Sequence, residues 1–594
     1  MEFKVGDQKI QTIQMNQMPV KNSGNLLVKL LCAKFTQETN LKHPYVIVNL
    51  GEEKQTTSFG QTTEDSYLWE SCLTFLRASQ GTICFGVWDS EHLVGEGSLE
   101  LELLSQGSYQ DWVVLKKQRE VGSLLVNVSW QKQIEQPVVV SRSKFPKVQK
   151  PRTPCGASTR LLKSFFRKTN DESIRRLLET IETCQKAPFQ LEFGWNCYGI
   201  EAEKAISEAI SHPDNNITDI NYENNSAGLI GTYHITESLK SPNSKVETLN
   251  FANNGINVEG AKAFATVIQQ EGNTLTNLDL WGNEVKDLGA VSILSCLSQP
   301  SNCISYLNLG NNALTDDSCK EISVALESSN TKLTELDLSW NRITGSGVKL
   351  IARALRNENN KLAKLNLWKN LIGKDGGFEI AESISNPCNK LDWLNLQENK
   401  IGKKAGVMLA KASFSPYCLL EYLNLDSNGI GAEGACSLSF GLQREGNGLS
   451  ELYLSRNNIG NKGVASIAEA LCSPNNSVKV LHLDNNSISN KGVESLSSAI
   501  MSPYNKLVDL SLENNSVSAK GGKSISEALA NPNSKIDYLN LHGNSLGNDG
   551  AKHFLRVLPL TRLSSIGIWK NSIASSVWKQ IVQICNERSI QLIY

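Results

Sequence analysis

Two rhythms of apolar and polar residues divide this chain. From about residue 189 onward one leucine pattern returns with a fixed period. Leu333, Leu336, Leu338, Asn341 and Ile343 set the form L-x-x-L-x-L-x-x-N-x-I, which recurs from Leu362, Leu391, Leu420, Leu449 and Leu507. Its asparagines are Asn196, Asn225, Asn254, Asn283, Asn312, Asn341, Asn370, Asn399, Asn428, Asn457, Asn486, Asn515 and Asn544, each 29 residues after the last, and Asn571 closes a shorter fourteenth unit. The alternation in Leu336, Asp337, Leu338 predicts a short strand with one buried face. The spacing of Val348, Ile351, Ala354 and Leu355 by three and four predicts a helix packing inward. A strand, a turn and a helix cannot enclose a core alone. Stacked side by side they give a parallel sheet inside and helices outside, and the wider helices make the stack curve.

Within that frame the asparagine falls where the chain leaves the strand, so its amide is expected to satisfy backbone groups of the neighbouring turn as a buried ladder. The glycine six residues later (Gly260, Gly289, Gly347, Gly376, Gly434, Gly463, Gly492, Gly521, Gly550) predicts close packing at the helix start.

Residues 24–132 keep a different rhythm. The apolar runs Leu26–Leu31, Tyr45–Leu50, Thr82–Trp88 and Ser123–Trp130 have no 29-residue echo and read as strands of a sandwich. Between the two rhythms, residues 136–170 hold nine basic residues and no acid, with Pro137, Pro146, Pro151 and Pro154 stiffening the first half. From Ser158 to Cys184, Leu161, Leu162, Phe165, Phe166, Ile174, Leu177, Leu178 and Ile181 follow helical spacing and predict a cap on the open end of the stack. The expected organisation is an extension (1–23), a sandwich (24–132), a basic linker (133–157), a helical cap (158–187) and the repeats (188–594).

Composition narrows the function. The chain has 594 residues, 59 Lys+Arg against 60 Asp+Glu, and a sequence pI near 6.7. That removes the general cationic field of nucleic-acid binders. Its 14 cysteines form no C-x-x-C pair, which points to reduced thiols in the cytosol. The polar start and the absence of a long apolar run predict a cytoplasmic protein. Gly429, Gly431 and Gly434 satisfy G-x-G-x-x-G, and Gly543, Ser545 and Gly547 satisfy G-x-S-x-G. Both fall in register with the repeat, beside Asn428 and Asn544, so neither marks a dinucleotide site or a nucleophile elbow. The seven histidines lack metal-ligand spacing, and His482 and His542 read as ordinary residues of the strand surface. No active site, metal or cofactor is expected.

The 29-residue unit strongly resembles the ribonuclease-inhibitor-like class of leucine-rich repeats, which implies a horseshoe of about 14 units binding other proteins on its concave strand face. In the first domain, His43-Pro44-Tyr45-Val46, Val87-Trp88-Asp89 with Glu91, and Val94-Gly95 with Leu99 resemble C2-domain landmarks. That family's calcium site takes about five Asp carboxylates. Here only Asp89 and Glu91 match, and His43 replaces an Asp, so the resemblance implies calcium-independent docking.

Register also locates a site. The leucines fill the core, so alternate residues face the concave side. Trp281, Tyr306, Trp340, Trp368, Trp393 and Tyr422 lie there or in the following turn on six successive repeats, with Asp279, Asp337, Glu398 and Asp426 among them. They are expected as exposed rings binding a protein partner. Arg142, Lys144, Lys147, Lys150 and Arg152 are expected to meet an anionic membrane or an acidic cytoskeletal surface. The expectation is a non-enzymatic scaffold, in a cytoskeletal or ciliary setting, with no nucleic acid and no small-molecule substrate. Its rivals are a GTPase-activating regulator of a small GTPase, the same repeat class serving the Ran GTPase-activating proteins, and a phospholipid-binding peripheral protein. The absence of an acidic tail after the repeats weighs against the former, the missing carboxylates against the latter.

Overall fold

In the computed structural model the chain divides into two compact units, Met1–Lys150 and Pro151–Tyr594. The structure describes the strand backbones between residues 24 and 132, Arg160–Lys163, residues 189–194, and residues 200–593 except Phe414. Side chains are described from residue 203 on and at 190, 191, 193 and 194.

The first unit is all-β. Its strands are β1 (Gly24–Phe35), β2 (Pro44–Leu50), β3 (Glu53–Thr56), β4 (Gln61–Thr62), β5 (Tyr67–Ala78), β6 (Thr82–Asp89), β7 (His92–Glu100), β8 (Ser108–Lys117) and β9 (Arg119–Lys132). They pair antiparallel in the order β3-β2-β6-β7-β8-β9-β1-β5-β4. β7 and β8 meet only at Glu96 and Lys116, so two antiparallel halves are hinged at one bridge, as in a two-sheet sandwich. All four alternating runs of the sequence lie in strands. The side chains of Asp89 and Glu91, and the basic residues Arg142, Lys144, Lys147, Lys150 and Arg152, lie outside the described residues.

The second unit is one parallel sheet of 16 strands, β10 to β25, in chain order. Fourteen belong to the asparagine repeat, from β11 (Phe189–Glu192) to β24 (Ser565–Gly567). One more closes each end, β10 (Arg160–Lys163) and β25 (Gln591–Leu592). β10 corrects the expected helical cap. Arg160–Lys163 is a strand in parallel register with Phe189–Glu192, because the first repeat strand would otherwise present an open row of backbone donors and acceptors. The rest of the expected cap lies outside the described residues.

From Thr248–Asn250 to Ser565–Gly567 the strands are three residues long. At the centre of the stack are β16 (Glu335–Asp337), β17 (Lys364–Asn366) and β18 (Trp393–Asn395). Their register is fixed, with Glu335 beside Lys364 beside Trp393, and Asp337 beside Asn366 beside Asn395. Each strand leads through a turn to a helix. In Gly345–Leu355, Thr344 caps the first turn by accepting from the Ser346 N–H at 3.2 Å, and Val348, Ile351, Ala352, Ala354 and Leu355 are buried. Gly289 and Gly521 bear out close packing at the helix start, since an added Cβ would lie 2.8 Å from Ala261 Cβ and 2.7 Å from Val517 Cγ1.

The asparagine ladder is what joins the units. The Asn399 amide Nδ2 donates to the carbonyls of Leu367 (2.7 Å), Leu396 (3.1 Å) and Gln397 (3.1 Å), while its Oδ1 accepts from the N–H of Asn370 at 3.1 Å. Leu367 and Asn370 belong to the preceding repeat. One side chain thus satisfies the turn groups of two repeats and is fully buried doing so. A second buried row, absent from the sequence expectations, stands at the other end of the strands. Asn302 donates to Leu297 O at 3.1 Å and accepts from the Ile304 N–H at 2.8 Å. Asn360 repeats this with Leu355 and Leu362, and Asn476 with Leu471 and Val478. Where the asparagine is present, it closes the helix and starts the next strand.

Asn399→Ala leaves several buried backbone groups without a partner. It is expected to lower stability by about 3 kcal/mol, read as a fall in the urea midpoint followed by far-ultraviolet circular dichroism. An equally stable variant would remove the ladder from the account.

Candidate functional site

The hydrophobic core lies on the helix side of the long sheet. The opposite, inner face is made by the residues six, four and two positions before each ladder asparagine. Strand pairing places equivalent positions about 4.8 Å apart in rows across the repeats, so the side chain at each position meets its counterparts 29 residues away.

All six expected aromatic residues lie on this face or in its turns, and ring contacts join four of them into two pairs. Trp281 crosses Gly310 of the next repeat, where a Cβ would come within 2.5 Å of the indole Cδ1. Tyr306 places its hydroxyl 3.4 Å from Asp279 Oδ2. Trp340 and Trp368 meet edge to face at 5.4 Å, with Lys369 Nζ 3.3 Å from the Trp340 ring centroid and the Trp368 Nε1–H donating to Glu398 at 3.4 Å. Trp393 and Tyr422 stack at 4.5 Å with planes 15° apart.

Exposure corrects part of the expectation. Trp340 is 38% exposed, but Trp393 and Tyr422 are only 5% and 6% exposed. Neither belongs to the hydrophobic core. They are buried against each other, because in-register strands bring flat rings to stacking distance. The stack continues through Tyr453 (5.1 Å from Tyr422) to His482 (4.7 Å from Tyr453). His482 is therefore no ordinary surface residue. Its Nε2 lies 3.3 Å from Asp509 Oδ1.

Trp340 also occupies a strained backbone position. Among the described residues the one before each ladder asparagine is left-handed, with φ +56° at Trp340, +55° at Lys369 and +56° at Glu398, whereas Gly282 and Gly543 take the same position without a side chain. A non-glycine residue there costs about 1 kcal/mol. The conformation belongs to the repeat, since Asn253, Ser427 and Arg456 share it, and it sets the Trp340 ring in the turn beside the sheet face.

Charge is the other feature of the face. Among the described residues its positions carry Asp219, Glu223, Asp279, Glu335, Asp337, Asp426, Glu451, Asp484, Asp509 and Glu513, ten carboxylates, against Lys364 alone among lysines and arginines. Lys364 is already paired with Glu335 at 2.7 Å. Asparagines relay between the acids. Asn308 donates to Asp279 at 3.1 Å and Asn366 to Asp337 at 2.8 Å. Burial raises the Asp279 carboxyl to about 7, against the lowering effect of the Trp281 N–H and the Asn308 amide, with Asp337 and Glu223 raising it further. Burial likewise raises Asp337 to about 6 and Asp426 to about 7. At His482 burial acts downward, yet the hydrogen bond and charge of Asp509, with Asp484 and Asp426, hold the imidazole above its ordinary value.

The chemically suggestive glycine motifs serve the stack. Gly429 and Gly431 have φ +66° and +69° in the turn around Asn428, and the Ser545 N–H donates to Val517 O at 2.9 Å, tying one repeat to the next. No helix among the described residues is long and apolar enough to cross a membrane.

Strand-turn-helix units stacked on a buried asparagine ladder define a leucine-rich-repeat solenoid. A family model described as Leucine Rich repeat matches residues 243–265, 329–352, 418–439, 449–468 and 475–497, all within these units. Among solved structures it is similar to a C2 domain-containing protein, at 20% identity over 20% of this chain and 96% of that one, with a TM-score of 0.18. It is also similar to the C2 domains of Extended-Synaptotagmin 2, at 16% identity over 22% of this chain and 49% of that one, with a TM-score of 0.17. A search of curated proteins gave no match.

The raised carboxyls fix the sign of a pH dependence. Between the unfolded value of 3.8 and the folded values near 6 to 7, the folded chain holds protons that the unfolded chain has released. Their stabilisation is present at acid pH and is lost as pH rises through about 6 to 7, and the raised His482 acts in the same direction. The urea midpoint is expected to be higher at about pH 5.5 than at about pH 8, and changing Asp279, Asp337 and Asp426 to Asn should flatten that slope. A midpoint rising with pH would contradict the assignment.

Proposed function

We propose that this protein is a non-enzymatic interaction scaffold whose repeat domain binds a protein partner on the inner sheet face. The edge-to-face pair of exposed Trp340 and half-buried Trp368 carries the reading, because it is a preformed aromatic anchor on a rigid sheet. Leucine-rich repeats serve generally as protein-interaction modules, and among the described residues the glycine motifs and histidines do not bring acid, base and nucleophile together in one place.

In this reading the antiparallel first unit is a C2-like docking module for a second protein or an anionic surface. Arg142, Lys144, Lys147, Lys150 and Arg152 add attraction for acidic lipid or for the acidic tails of a cytoskeletal polymer. A scaffold joining a cytoplasmic partner to a cytoskeletal or ciliary assembly fits that pairing of surfaces.

The test uses the full chain as bait in two variants. Trp340→Gly with Trp368→Ala removes the inner anchor while relieving the left-handed backbone, and Leu288→Ala with Phe440→Ala removes the exposed apolar groups of the helices, 72% and 68% exposed. The inner-face variant is expected to lose about 2 kcal/mol of binding or more, roughly thirtyfold, with its urea midpoint unchanged or raised. Loss confined to the helix-face variant would move the site to the outer surface.

A further inference from the structure

We propose that the partner on the inner face presents an extended, basic segment, with an arginine or lysine side chain seated at the patch formed by β16, β17, β18 and the Trp340–Trp368 pair. This rests on the reading of the inner face as the docking surface and specifies the chemistry of what docks there.

The charge of the face is not that of the chain. The whole sequence is balanced, 59 basic to 60 acidic residues, whereas the face carries ten carboxylates to one lysine. Lys364, on the face itself, is held by Glu335 at 2.7 Å, and Lys369, in the adjoining turn, lies over the Trp340 ring at 3.3 Å. Lys369 shows that the aromatic surface accepts an ammonium group, an interaction of about 0.5–2 kcal/mol. Asp509 is met by His482 at 3.3 Å; the other eight carboxylates have no lysine or arginine in ion-pair contact, and burial together with neighbouring carboxylates holds Asp279 and Asp426 in a range where an arriving cation would complete their ionisation.

Two orphaned atoms lie on the same three strands. Glu335 Oε2 is buried without a hydrogen bond, although Oε1 holds Lys364. The Asn395 side chain is fully buried and its Nδ2 has no partner, whereas Asn308, Asn366 and Asn424 each donate from the equivalent atom to an oxygen of the neighbouring repeat. An unmet acceptor on β16 and an unmet donor two strands on, in the adjacent row of β18, are what an extended basic segment crossing the strands supplies, a cation for the one and a backbone carbonyl for the other. The rows run across the repeats at strand spacing, so a segment lying along them meets carboxylates and rings in turn.

The probes are three labelled peptides of equal length, alternating Arg-Gly, Ser-Gly and Glu-Gly, titrated against the full chain by fluorescence anisotropy. The Arg-Gly peptide is expected to bind, and the other two to bind at least about tenfold more weakly. Glu335→Gln with Glu398→Gln and Glu451→Gln should weaken Arg-Gly binding about tenfold. Glu382→Gln with Glu494→Gln and Glu527→Gln, an equal loss of charge on the outer helices, should change it less than twofold. Equal loss in both variants, or Ser-Gly binding as tightly as Arg-Gly, overturns the proposal. If the Trp340 and Trp368 variant loses its protein partner while Arg-Gly peptide binding is absent, the docking face stands and the basic segment is wrong.

Discussion

The structure depends on one constraint: each turn leaves backbone groups that only an asparagine two repeats wide can satisfy. Asn399 reaches Leu367 and Asn370 in the repeat before it as well as its own turn, so a repeat cannot shift against its neighbour without orphaning buried donors and acceptors. That lock holds the 29-residue register through the stack. It also determines the inner face, because residues at equivalent positions are forced into rows at strand spacing. Ring stacking at Trp393 and Tyr422 and carboxylate crowding around Asp279 and Asp337 follow from the same lock.

Much of the fold was legible in the sequence because the lock is written in it. The leucine columns, the asparagines and the helix-start glycines recur at one period, and each maps to one physical task. The second buried row was not legible, since Asn302 and Asn360 alternate with residues such as Thr331 and Cys418 that share the position without sharing the amide. Arg160–Lys163 was misread because its paired apolar residues fit a helix as well as a strand, and only the edge of Phe189–Glu192 decides between them.

The site was half legible. Register placed the six aromatic residues on the right face, but exposure is set by what stands 29 residues away in each direction. Trp393 has Tyr422 beside it and is buried, while Trp340 meets Trp368 edge-on and keeps 38% of its surface exposed. The excess of carboxylates could have been counted along the same rows. Their raised protonation, and the engagement of Lys364 and Lys369, needed distances.

A face that is rigid, aromatic and acidic binds with little ordering of its own side chains, which leaves more of the contact energy as affinity. Placing a photoreactive phenylalanine at position 368, and separately at position 440, and comparing cross-linking to a bound partner tests this most directly. The account predicts a cross-link from 368 and none from 440. A cross-link from 440 alone would place the partner on the helices and contradict the central claim.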